Sequence, residues 1–267
     1  MTRQSIVAGR FYPADKKGIE GFLSGAEISF NRKSAALAVI SPHAGYIYSG
    51  AVSAQVFSGV RIADTVVILG PNHACSGSPF ALYGSGRWHT PLGDIAVDEV
   101  LSLAIRQACG LITDDKTAHL REHSVEVQLP ILQYFRRDLK IVPIILHGGD
   151  VSQYQQIAEA IVSAKKKTGR DILLVASSDM THYEPYDIVV KKDNIAIEAI
   201  LKLDESLLYE SVCRYNISMC GCAGIIIAVS AAKKMGAGSA RLIRYATSGD
   251  ITGDYESVVG YAGIIME

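Results

Sequence analysis

Thr65-Val66-Val67-Ile68-Leu69-Gly70-Pro71-Asn72-His73 is a continuous apolar run that stops at Gly-Pro and then presents a histidine. A run apolar at every position, rather than at every second one, suits a strand buried on both faces. Similar runs occur at Ala36–Ile40, Lys140–Leu146, Asp171–Ala176, Arg241–Ala246 and Ser257–Ile265. Segments of helical period lie at Lys16–Leu23, Gly50–Phe57, Asp98–Cys109, Val125–Phe135, Gln153–Lys167, Lys191–Leu203 and Gly221–Met235. Strand–helix alternation of this kind predicts a single layered α/β domain over 1–267, with a mostly parallel or mixed central sheet flanked by helices. The last two runs are close enough for a hairpin. Gly77–Gly93 lacks clear periodicity and reads as a long ordered loop of the kind that often covers a site.

Two further runs end as the quoted one does. Ala36–Ile40 leads into Ser41-Pro42-His43-Ala44-Gly45-Tyr46, and Asp171–Ala176 into Ser177-Ser178-Asp179-Met180-Thr181-His182. Ligands of open α/β sheets bind at the carboxyl ends of the strands, where loops and helix N-termini converge. Three strand-end histidines therefore predict one shared site. Cys220 adds to it, since it lies just before the Gly221–Met235 helix, where the dipole favours a thiolate. The alternative for Cys220 and Cys222 is a small buried hydrophobe, preferred for Cys222. Cys75, Cys109 and Cys213 have no partner spacing and read as structural. His119 and His123 stand four apart, and Glu122-His123-Ser124-Val125-Glu126 is a polar cluster ahead of an apolar helix. His123 and Glu126 could contact substrate or support the site; a solvated helix start accounts for the pattern equally well. His89 and His147 read as ordinary loop residues.

Bulk properties narrow the classes. With 49% hydrophobic and 20% charged residues, the 267-residue chain is globular in composition. A net charge of -1 and no basic stripe argue against nucleic acid. No stretch reaches the ~20 apolar residues that span a bilayer, and an odd count of five cysteines suits free thiols in a reducing compartment. The expected location is the cytoplasm, with no membrane partner.

Val7-Ala8-Gly9-Arg10-Phe11-Tyr12-Pro13, Pro42-His43-Ala44-Gly45-Tyr46, Leu69-Gly70-Pro71-Asn72-His73, Thr90-Pro91-Leu92-Gly93, Glu122-His123-Ser124-Val125-Glu126, Ser177-Ser178-Asp179-Met180-Thr181-His182 and Cys220-Gly221 come in an order and spacing that resemble the Memo family. That family is also described as component B of the AmmeMemoRadiSam system. It is similar in fold to the class III (LigB-type) extradiol dioxygenases, whose non-haem iron is held by two histidines and a carboxylate. The resemblance maps His43 and His73 onto the two histidines and Cys220 onto the third ligand. It maps His182 onto the acid/base histidine, with Asp179 close by, and implies that His123 lines the same pocket. Cys222 has no counterpart in the family pattern.

A set of two histidines and a thiolate is softer than the dioxygenase set, and one transition metal per chain is expected: iron or copper first, zinc as the alternative. Three functions follow as expectations. The first is a redox enzyme acting on a small organic substrate. The second is a non-catalytic metal carrier or component working with radical SAM and AMMECR-domain proteins as pathway partners. The third is a zinc-dependent hydrolase in which His182 or Glu126 activates water.

Overall fold

The computed structural model describes residues 1–26 and 33–267. Along the chain run β1 (Thr2–Arg3), α1 (Lys16–Gly25), β2 (Ala38–Ser41), a π-helical turn (Tyr46–Gly50), α2 (Ala51–Ser58) and β3 (Thr65–Pro71). Then come β4 (Phe80–Leu82), β5 (Arg87–Thr90), β6 (Gly93–Val97), α3 (Glu99–Ala108), β7 (Thr113–Asp114), α4 (Gln128–Phe135) and β8 (Lys140–Leu146). The remainder is α5 (Val151–Thr168), β9 (Ile172–Ser177), β10 (His182–Glu184), α6 (Tyr186–Leu201), α7 (Glu205–Tyr215), α8 (Cys222–Lys234), β11 (Ala240–Thr247), a short helical turn Gly249–Thr252, and β12 (Val258–Met266).

One mixed sheet runs in the order β1-β5-β6-β8-β3-β9-β2-β12-β10, with β11 on β12 and β4 on β8. Strands β8, β3, β9 and β2 are mutually parallel; β12 pairs antiparallel to β2, β10 and β11. The parallel strands are apolar throughout because both faces are covered. Val67, Leu69, Leu174 and Ala176 point into a core shared with α3, α5, α6 and α8. Val66, Ile68, Leu173 and Val175 point into a second core shared with α1, α2 and α4. Desolvation of these side chains on both faces is the main force holding the layers together.

The topology decides where the site lies. β9 sits between β3 and β2, so the three strands that end in histidine-bearing turns are immediate neighbours and all point the same way. Their carboxyl ends open on one edge of the sheet.

Several sequence expectations change. Gly77–Gly93 is no covering loop: it contains β4, β5 and the start of β6, and none of its residues lines the main cavity. The helix expected from Val125 begins only at Gln128, because residues 122–127 are held by side-chain contacts instead. α7 was not foreseen, since its apolar stripe is thin and only Leu208 and Ser211 are buried. His89 lies on β5, paired with Asp94, rather than in a loop. No helix among the described residues is long and apolar enough to cross a membrane.

Candidate metal centre

His43 follows β2 and is buried. Its backbone N–H donates to Asp179 Oδ1 at 2.8 Å. Its ring Nδ1 lies 3.0 Å from Ser177 Oγ, and that hydroxyl gives its proton to Ser124 O at 2.7 Å. Ser177 Oγ therefore accepts from His43, so Nδ1 carries the hydrogen and Nε2 keeps its lone pair. Burial, reinforced by His73 and His123, lowers the His43 pKa to about 4 against the pull of Asp179, so the ring is neutral near pH 7.

His73 follows β3, half-exposed, with Nδ1 3.0 Å from Glu122 Oε1. A carboxylate can only accept, so here too Nδ1 is the donor and Nε2 is free. Burial works to lower the His73 pKa, but its bond to Glu122 outweighs this and raises it. For Glu122, burial pushes upward, yet His73 and the Ser124 N–H bring it down to about 2. His123 completes a triangle with the other two rings: its centroid is 4.7 Å from His73, nearly parallel, and 5.6 Å from His43, while His43 and His73 are 5.3 Å apart. One nitrogen from each of His43, His73 and His123 lies within 4.8 Å of the others, a cluster able to hold a metal ion.

Cys220 Sγ lies 3.4 Å from His43 Nε2 and accepts from the Asp179 N–H at 3.3 Å. Helix α8 starts at Cys222 with Gly221 as its cap, so the thiol precedes the helix by two residues. Dipole stabilisation does not prevail there: burial, followed by Asp179, pushes the Cys220 thiol well above its ordinary range. It is a neutral thiol until a cation replaces its proton. The neighbouring glycine is required by close approach, since a Cβ at Gly221 would lie 2.5 Å from Ser177 O. Cys222 belongs to the packing around α8, where burial raises its pKa to about 12.

His182 opens β10 on the rim of the same cavity. Its backbone N–H donates to Ser218 Oγ at 2.8 Å, and Nδ1 lies 3.0 Å from the Ser218 carbonyl oxygen. A carbonyl cannot donate, so Nδ1 bears the hydrogen and Nε2 is left as an acceptor. Ser218, not Asp179, thus orients His182; the Asp179 carboxylate instead holds the His43 backbone. No local pattern marks Ser218, which lies 36 residues from His182.

The structure gathers His43, His73, His123, Asp179, His182 and Cys220 around one cavity of about 590 Å³, together with Phe11, Tyr48, Tyr183, Ser218 and Tyr261. Glu126 is not among them. Its carboxylate is fully buried, taking hydrogen bonds from the Ile6 and Val7 N–H groups, Tyr12 Oη and Arg3. Expected beside His123 as a substrate or supporting group, it anchors the N-terminal segment instead. His119 is also buried away from the cavity, against Tyr83 and Trp88.

A sequence model of a family described as Memo-like protein matches residues 3–265. The chain is 42% identical to a MEMO1 family protein of Methanopyrus kandleri, covering 100% of this chain and 99% of the relative. It is 42% identical to one from Methanocaldococcus jannaschii, over 99% of both chains. It is 43% identical to one from Methanosarcina barkeri, over 99% of this chain and 100% of the other.

Proposed function

The chain belongs to the Memo-like protein family, and from that premise we propose that it is a metal-dependent redox enzyme acting on a small organic substrate, its metal held by His43, His73 and Cys220. The observation that carries the reading is the direction of the lone pairs. His43 Nδ1 is tied to Ser177 and His73 Nδ1 to Glu122, so each ring keeps Nε2 for a cation. Cys220 Sγ lies 3.4 Å from His43 Nε2, so a cation held by that nitrogen would have the thiol within reach. His123 is the further nitrogen within reach. Two imidazoles and a thiol make a borderline-soft donor set, which suits iron, copper or zinc. A bound iron or copper would supply Lewis acidity and one-electron chemistry.

The chain's own residues supply the rest. His182, with Nε2 unengaged at the cavity rim, is placed to take a proton from a bound substrate and return it. Asp179 holds the His43 backbone, and Phe11, Tyr48 and Tyr261 give the cavity an aromatic wall. Arrest as a pure carrier would need neither a free imidazole nor so roomy a cavity. The hydrolase reading loses Glu126 as its base and rests on His182 alone.

The test is metal content after anaerobic purification, set beside turnover. His43→Ala, His73→Ala and Cys220→Ser are expected to lose most of the bound metal. His182→Ala is expected to keep it and to lose turnover by about 10²–10⁴-fold, the usual contribution of a general base. Full occupancy in the His43→Ala and His73→Ala proteins would overturn the assignment; an emptied site in His182→Ala would make that residue a ligand.

A further inference from the structure

Tyr183 has φ of +58°, the left-handed backbone region that glycine adopts freely and tyrosine does not. It sits at an irregularity in the pairing of β10 with β12, between His182 and Glu184, where glycine is the usual choice. The ring is 77% exposed, so burial does not offset the backbone strain. It also lines the cavity, with its centroid 5.6 Å from that of His182. A strained residue whose side chain is left largely in solvent points to contact with something the fold binds.

The remaining walls say what that is. Phe11, Tyr48 and Tyr261 join Tyr183 in offering aromatic surface. The Asp179 carboxylate reaches the same cavity, and Glu122 lies beneath His73. Among the described residues, no lysine or arginine lines it. Tyr261 is buried, and burial together with Asp179, Tyr48 and Tyr183 keeps its phenol protonated. An anion entering the outer part would meet the Asp179 carboxylate and no lysine or arginine; a cation would meet aromatic faces and that carboxylate.

We propose that the outer part of this cavity receives a small organic cation, a protonated amine, and that Tyr183 is its specificity-determining residue. This rests on the reading of the cavity as a substrate site, but not on the metal beneath it. The experiment is therefore calorimetric titration of metal-free protein at pH 7 with benzylamine, benzyl alcohol and benzoate, which share size and ring. Benzylamine should bind at least tenfold more tightly than benzoate, with the alcohol between. Tyr183→Gly should weaken benzylamine by about 3–30-fold, the range of one cation–aromatic contact, and should leave the urea midpoint of unfolding no lower than in the parent chain. Asp179→Asn should narrow the gap between amine and benzoate. Repeating the titration with zinc-loaded protein and benzyltrimethylammonium, which has no lone pair to give a metal, should reproduce the preference. Benzoate binding as tightly as the amine, an unaltered Tyr183→Gly affinity, a destabilised Tyr183→Gly protein, or no detectable benzylamine binding would each overturn the proposal. Loss of metal binding in the histidine variants, or its absence, bears on the metal assignment and leaves this result standing.

Discussion

Glu122 accepts from the backbone N–H groups of His73, His123 and Ser124 and from His73 Nδ1. One buried carboxylate thus fixes a ring and the loop that carries a second ring. Glu122→Gln keeps the shape but replaces one acceptor oxygen with a donor facing N–H groups. Metal affinity should fall by about 10–100-fold, as is usual when the partner of a ligating histidine is lost; competition with a chromophoric chelator measures it. Cys220→Ser should likewise weaken iron or copper binding strongly, and Cys222→Ser much less, because Cys222 packs against the α8 core. Equal losses from the two would point to a site with two thiols. The strand-end histidines were legible because position alone marks them. Glu122, Ser177 and Ser218 were not: their roles come from contacts made 49, 134 and 36 residues away, which no local spacing encodes.

Among the elements, the N-terminal segment and the loop before α4 are built against each other. Arg3 donates to His119 O, Glu122 O and the Glu126 carboxylate, and its guanidinium lies 4.1 Å from the Trp88 ring centre. The Arg3–Glu126 pair, 2.6 Å apart, is almost fully buried. Arg3→Met leaves that carboxylate buried without its partner, and should destabilise the protein by about 3–5 kcal/mol in urea unfolding. A loss below about 1 kcal/mol would mean that solvent reaches Glu126. The polar run Glu122–Glu126 announced itself in the sequence, but not the direction of its side chains: Glu122 faces the histidines, Glu126 the N-terminal strand. The π-helical turn Tyr46–Gly50 was equally hidden, because its apolar residues match an ordinary helix start. Its effect is to turn Ile47 outward, 67% exposed, and to bring Tyr48 to the cavity.

Across the whole molecule, stability and the site respond to acid together. His119 is buried, donates Nε2–H to Ala81 O and leaves Nδ1 without a partner. Burial, followed by the effect of Arg3, lowers its pKa from 6.5 to about 3, although the bond to Ala81 acts the other way. The unfolded chain binds this proton near 6.5 and the folded chain only near 3. Its contribution is therefore whole above about pH 6.5 and is lost progressively as the pH falls toward about 3. His43, lowered to about 4, acts in the same sense in metal-free protein. His119→Gln, which can still donate to Ala81, should flatten the fall in urea stability over that window by about one proton's worth of slope; an unchanged slope would show that His119 charges freely in the fold. The α/β layering was legible from the continuous apolar strands, whereas the strand order was not, since pairing partners leave no local trace.

That order also bears on how the protein is made. β12, residues 258–266, lies inside the sheet between β2, which leads to His43, and β10, which begins with His182. A chain emerging from the ribosome can present His43, His73 and even Cys220 long before β12 is available to seat β10. Domains fold as units during synthesis, so the rim bearing His182 and Tyr183 takes shape only after residues 258–266 have been translated. Any metal that these residues hold would meet the complete cavity only after translation has ended.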